Sequence, residues 1–211
     1  MGRGKVFWQR FDVRAKNDKA ACRGSEFCNR EHGMSESSEA HRKQAGQIRT
    51  NCAILTVSDT RTLADDASGH AIKELLLAAG HVVADHQIVQ DDANLIEEQL
   101  LAWLSEKQNG EGIHVILTTG GTGIARRDTT VEVVSRMIDK ELDGFGELFR
   151  MLSYHEIGAA AMLSRAVAGL LSSGGRETFV FTMPGSKHAV ELAMRKLILP
   201  ELSHLIWERK R

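Results

Sequence analysis

Proline is nearly missing from this chain, with two in 211 residues, and aromatic side chains make up only 5%. Cysteine is scarce too. Three residues, an odd number, give no disulfide framework and exclude the small, disulfide-stapled secreted class. Charge of one sign does not dominate: the formal net charge is −1, which excludes the global positive charge of a polyanion binder. No stretch approaches the roughly 18 consecutive apolar residues of a membrane helix, and the N-terminus lacks the apolar core of a secretory signal. These absences lead to the expectation of a cytoplasmic protein that acts on neither membrane nor nucleic acid.

Charge is present but uneven. Residues 1–50 hold 11 Lys and Arg against 6 Asp and Glu, while the remainder holds 16 against 22. The first segment shows no sustained apolar period, so residues 1–48 are expected to be a polar, disordered extension. Met34 opens MSESSEAHRKQAG, which reads as a second start and makes residues 1–33 tag-like or mis-started. Asp12, Asp18, Glu26 and Glu31 count against a transit peptide. Cys22, Cys28 and His32 match no zinc-knuckle spacing and lack a fourth ligand.

From residue 49 to 211 the pattern is regular and predicts one domain. CAILTVSD is a short buried strand. Residues 68–79 place Ile72, Leu75, Leu76 and Ala79 on one helical face, and Gly80 stops the helix. A strand over 81–89, a helix over 93–105 and a strand over 113–118 follow. Helices are then predicted over 131–139 and 144–155, and a hairpin or edge pair of strands over 165–172 and 178–183. A helix over 186–199 is predicted to break at Pro200 before a short last helix. The β-α-β-α-β alternation predicts an α/β fold, a three-layer sandwich with a mostly parallel central sheet.

Ligands of open α/β sheets bind beyond the carboxyl ends of the strands. Those ends here carry Ser58-Asp59-Thr60-Arg61, Gln90-Asp91-Asp92, TTGGTGIARRDTT (Thr118–Thr130) and Met183-Pro184-Gly185-Ser186. Gly120, Gly121 and Gly123 let backbone approach a ligand, successive amides can form an anion nest, and Thr122 adds a hydroxyl donor. A phosphate site is favoured there over a plain strand-to-helix turn. The loop is neither a P-loop, which needs Lys-Ser or Lys-Thr, nor a Rossmann fingerprint, whose third glycine is absent. Asp91 and Asp128 have two readings, as helix caps or as oxygen ligands for nucleotide-bound Mg2+. Thr129 and Glu132 fit a capping box. Arg126 and Arg127 either steady developing charge or are solvated, and Ser186 either caps a helix or holds an anion.

These motifs together resemble the MoaB/MogA family of molybdenum cofactor biosynthesis. The resemblance spans about residues 50–209 and rests on TVSDTR, DDASGH, IVQDD, TTGGTG, RRDTT, DGFGELFRMLSYHEIG, SRAVAG and MPGS. The FRMLSYHEIG and SRAVAG wording is closer to the MoaB branch, and Gln90 stands where the MogA pattern has proline. The resemblance implies a molybdopterin adenylyltransferase that uses Mg-ATP and molybdopterin, releases pyrophosphate, assembles as a homotrimer or homohexamer and hands its product to a metal-insertion protein. It implies catalytic, Mg2+-binding roles for Asp91 and Asp128. It implies substrate or nucleotide binding by Ser58, Gly120, Gly121, Thr122, Gly123, Arg127, Glu147, Pro184, Gly185 and Ser186. The alternative within the same fold is a non-catalytic molybdopterin-binding or partner-binding protein.

Overall fold

Side-chain alternation assigns each strand residue to one of two cores. In β1 (Asn51–Val57), Cys52 and Ile54 face one side while Ala53, Leu55 and Val57 face the other. In β3 (Val115–Thr119), Val115 and Leu117 are set against Ile116. In β6 (Arg176–Met183), Phe179, Phe181 and Met183 are set against Val180. Strands buried on both faces read as unbroken apolar runs, which is why these segments hardly alternate with polar residues. The computed structural model in which this is seen describes residue 46 and residues 48–105 and 112–211. The expectations for residues 1–33, with Cys22, Cys28 and His32, lie outside the described residues.

One face of the sheet is covered by α1 (Ala67–Ala78), α4 (Asp143–Ile157), α5 (Lys187–Ala193) and α6 (Leu199–Lys210). The other is covered by α2 (Ala93–Ser105), through Ile96, Leu100 and Trp103, and by α3 (Thr130–Met137), through Val133 and Val134. The three expected layers are therefore present. The strand order is β2-β1-β3-β6-β5-β4, with β2 spanning Val82–Val89, β5 spanning Val167–Ser173 and β4 only Lys140–Glu141. β2, β1, β3 and β6 run parallel, and β5 pairs antiparallel with both β6 and β4. From β1 the chain crosses outward to β2 and then returns to β1's other side as β3. That reversal lies between β1 and β3, and beyond the carboxyl ends of strands at such a reversal open α/β sheets bind their ligands.

The hairpin expectation holds: β5 and β6 turn at Gly174-Gly175, both at positive φ. Two elements were not expected. β4 is too short to carry a period, and a 3-10 helix over Gly158–Leu163 follows α4. Pro200 does not break the last helix. The backbone stays helical through a π-turn over Met194–Ile198, and Pro200 falls in the first turn of α6. An amide is dispensable in a first turn, so proline is tolerated there. Cys52 is wholly buried, and burial pushes its thiol up to about 12, so it acts as a small core hydrophobe. Among the described residues no helix is long and apolar enough to cross a membrane.

Candidate functional site

The glycine loop is built by tying its carbonyls back. Gly120 and Gly121 adopt φ of 93° and 60°, the left-handed region that glycine reaches without strain. Gly120 also packs so closely that a Cβ there would lie 2.2 Å from the carbonyl oxygen of Val57. The Gly121 carbonyl accepts from the Thr130 amide at 3.0 Å. Arg165, at the start of the segment entering β5, donates from Nε to the Thr122 carbonyl at 2.9 Å and from Nη2 to the Gly123 carbonyl at 2.7 Å. With three carbonyls held, the amides of Gly121, Thr122 and Gly123 have no hydrogen-bond acceptor among the described residues. Successive unpaired amides are what an anion nest requires.

Asp91 reaches this loop from the end of β2. Its Oδ1 accepts from both the amide and the hydroxyl of Thr129 at 3.0 Å, while its own amide donates to Asp59 at 3.1 Å. Asp91 is thus not the cap of α2. Asp92 has that job, accepting from the amides of Asn94 at 2.9 Å and Leu95 at 3.2 Å. Asp128 Oδ2 accepts from the Ala125 amide at 2.9 Å and closes the turn after the glycines. A Cβ on Gly123 would lie 2.5 Å from that oxygen, so the third glycine makes room for Asp128. The capping box is not formed. Thr129 makes no side-chain cap bond, because its hydroxyl goes to Asp91, and Glu132 pairs with Arg165. That pairing draws the Glu132 carboxyl below its usual range.

The other side of the site is rooted in Asp66, which is fully buried as the cap of α1. Its oxygens accept from Thr56 Oγ1 at 2.5 Å, Ser68 Oγ at 2.9 Å, the Gly69 amide at 2.9 Å and His86 Nε2 at 3.0 Å. Burial pushes its pKa up. The bonds from Thr56, Gly69, Ser68 and His86 outweigh that and hold the carboxyl below its ordinary range. An ionised carboxylate only accepts, so His86 Nε2 carries the proton in that contact. A Cβ on Gly69 would lie 2.1 Å from Asp66 Oδ2, which is the reason for glycine in DDASGH. Arg61 leans on the same group. Its Nη1 donates to Ser68 Oγ at 2.7 Å, and Nη1 and Nη2 both donate to the Gly185 carbonyl at 3.3 Å.

Most of the expected residues converge. The Gly120 amide donates to the Met183 carbonyl at 3.2 Å, and Thr119 Oγ1 donates to the Pro184 carbonyl at 3.3 Å, so the Pro184-Gly185-Ser186 turn abuts the glycine loop. A Cβ on Gly185 would lie 3.1 Å from the Gly120 Cα. Ser58 Oγ accepts from the amides of Thr60 and Arg61 and shapes the turn leaving β1. Ser186 caps α5 through the Ala189 amide at 3.2 Å. Arg127 is exposed, its nearest partner being Asp59 Oδ2 at 3.9 Å. Glu147 is exposed on α4 and makes no hydrogen bond or ion pair with the glycine loop. Sequence reading assigned no role to Asp66, Arg61, Arg165 or Thr130. Their partners lie up to 124 residues away, and the only signal was their place inside the quoted motifs.

Whether these residues suit Mg2+ can be tested on the side chains themselves. Thr130 Oγ1 is buried with no hydrogen-bond partner. It lies 2.2 Å from where a Gly121 Cβ would stand, and Asp91 Oδ2 lies 2.7 Å from the same point. Asp91 Oδ2 accepts no described hydrogen bond. An orphaned hydroxyl and a carboxylate oxygen with no described hydrogen bond, both set close against Gly121, are hard oxygen donors of the kind Mg2+ takes. Among the described residues no group of three or more His, Cys, Asp or Glu side chains is arranged to hold a metal ion. Mg2+ that arrives with nucleotide needs only one or two carboxylates, so the donor set fits that mode of binding.

Comparison with known proteins points one way. Residues 53–204 match the family model described as "Probable molybdopterin binding domain". The molybdenum cofactor biosynthesis protein B of Bacillus cereus is 52% identical over 172 residues, covering 81% of this chain and 96% of that protein. The Bacillus subtilis protein of the same name is 46% identical over 173 residues, covering 82% and 96%. The crystal structure of the tungsten cofactor synthesizing protein MoaB from Pyrococcus furiosus superposes with a TM-score of 0.65 at 38% identity, covering 77% of this chain and 98% of that one.

Proposed function

The chain belongs to the molybdopterin-binding-domain family of molybdenum cofactor biosynthesis proteins, and from that premise we propose that it adenylylates the terminal phosphate of molybdopterin with Mg-ATP. One observation carries the reading. Three consecutive amides, those of Gly121, Thr122 and Gly123, have no acceptor among the described residues and lie in the loop flanked by the carboxylates of Asp91 and Asp128, where the strand order reverses.

With its carbonyls held by Arg165 and Thr130, the loop would offer those amides to a nucleotide phosphate. Asp91, Asp128 and Thr130 would hold Mg2+, which when bound offsets phosphate charge. An oxygen of the pterin phosphate forms a bond to the α-phosphorus of ATP, the bond from that phosphorus to the bridging oxygen breaks, and pyrophosphate leaves. The chain supplies position and charge, and no covalent enzyme intermediate is required. The activated pterin would then pass to a metal-insertion protein.

Assembly as a homotrimer or homohexamer is part of the proposal. Met151, Tyr154, Ile157, Met162 and Leu163 of α4 and the following 3-10 helix are each at least half exposed, an apolar face of the kind that contacts between subunits cover.

Incubating the purified chain with molybdopterin, ATP and Mg2+ is expected to yield adenylylated pterin and pyrophosphate in equal amounts. Asp128→Asn keeps an oxygen for the Ala125 amide but removes the charge, and is expected to abolish product while the assembly size by light scattering stays unchanged. Pterin binding without product in the wild type would leave a binding protein. Undiminished product in Asp128→Asn would remove the carboxylate from the reaction.

A further inference from the structure

Arg61 is tethered along one edge only. Its two Nη1 hydrogens are taken by Ser68 Oγ and the Gly185 carbonyl, and one Nη2 hydrogen goes to the same carbonyl. The Nε hydrogen and the second Nη2 hydrogen have no described acceptor. Together they form the side-on fork with which a guanidinium grips two oxygens of a carboxylate or phosphate. The side chain is 37% exposed.

The opposite edge is anchored in the interior. Asp66 Oδ1 lies 3.7 Å from Nη1. Its charge is already shared among Thr56, Ser68, Gly69 and His86, so it compensates Arg61 only in part. Gly185 packs on Gly120, at the start of the glycine loop, whereas Asp91 and Asp128 stand beside Gly121 and Gly123. The nucleotide phosphates, arriving with their cation, suit the carboxylate end. A phosphate that carries no metal suits the guanidinium end.

We propose that Arg61 receives the phosphate monoester of the pterin substrate, and that Asp66, acting through Ser68 and the guanidinium, is the positioning residue that aims it. The role rests on the assignment of a phosphorylated pterin as substrate.

The test uses two oxidised, fluorescent pterins, one with the terminal phosphate and one without, titrated into the full chain and followed by fluorescence polarisation. Wild type is expected to prefer the phosphorylated pterin by about tenfold or more. Arg61→Gln is expected to bind both alike, Arg61→Lys to recover part of the preference, and Asp66→Asn to fall between. Mg-ATP affinity should stay within about twofold of wild type in all three, a result that general damage to the site would not give. An undiminished phosphate preference in Arg61→Gln overturns the proposal, and so does a loss of Mg-ATP affinity with the preference intact. Wild type that binds both pterins equally overturns the Arg61 role alone. Wild type that binds neither overturns the substrate assignment and this role with it.

Discussion

Asp66 and Asp91 are the same side chain at the same edge of one sheet, yet the fold gives them opposite surroundings. Asp66 is sealed, and four donors use up its oxygens. Asp91 is half-buried, spends Oδ1 on Thr129 and leaves Oδ2 beside Gly121 and Thr130 with no described hydrogen bond. A saturated carboxylate can only hold its neighbours in place, whereas an open one can take a ligand. The number of donors already satisfied separates strut from ligand, and burial alone would have ranked the two the wrong way round for chemistry.

The difference can be broken at either wall. The largest effect is expected from Asp91→Asn, which keeps an oxygen for Thr129 but removes the charge. Adenylylated pterin should fall by about 100- to 1,000-fold, with the melting temperature little changed. A large fall in melting temperature with product retained would make Asp91 a strut like Asp66. Next comes Gly121→Ala. Its Cβ would press on Thr130 Oγ1 and Asp91 Oδ2 at positive φ, whereas at Gly174, also at positive φ, a Cβ meets nothing within 4 Å. Denaturant unfolding is expected to show a loss of about 2–3 kcal/mol for Gly121→Ala and about 1 kcal/mol for Gly174→Ala. Equal losses would mean that crowding by Thr130 and Asp91 does not set the cost at Gly121.

The smallest effect is a slope. Asp66 has its folded pKa held below the ordinary 3.8. The stability it contributes is therefore complete above the unfolded value and is lost as pH falls through the folded one. Burial lowers the His81 pKa below 6.5, so the unfolded chain takes up that proton first, and stability declines on acidification from near neutrality as well. Unfolding measured between neutrality and strongly acid pH should show a shallower acid limb in Asp66→Asn, confined to the region below about pH 4. The His81 part of the curve should be untouched. Parallel curves for variant and wild type would remove Asp66 from the ledger of acid stability.

The sheet and its glycine loop were legible because both are written locally. Apolar runs mark strands, and three glycines at a strand end mark a loop. The same local reading misassigned Thr129 and Glu132. S/T-x-x-E is blind to an acceptor 38 residues upstream and a guanidinium 33 residues downstream, and both long-range partners won. Asp66 sits in a polar stretch that looks like any turn, since nothing in it announces that Thr56 and His86 will close over it. Pro200 was read as a stop because the π-turn before it leaves no mark in the apolar period. Glu147 lies inside the GFGE wording of its motif, and the fold places it on an exposed surface of α4.

The grip of Asp91 on Thr129 has a consequence for the sheet as well as for the site. Among the described residues β2 is an edge strand, paired along one side only. Its far end is pinned where the Ser58 amide donates to the Val89 carbonyl at 2.9 Å and Asp91 holds Thr129, the residue that leads into α3. Sliding β2 by one residue would turn Asp91 to the opposite face and release that helix. Asp91 therefore also works as a ratchet pawl on one border of the sheet, so a change at this one carboxylate would loosen that border's register as well as the wall of the glycine loop.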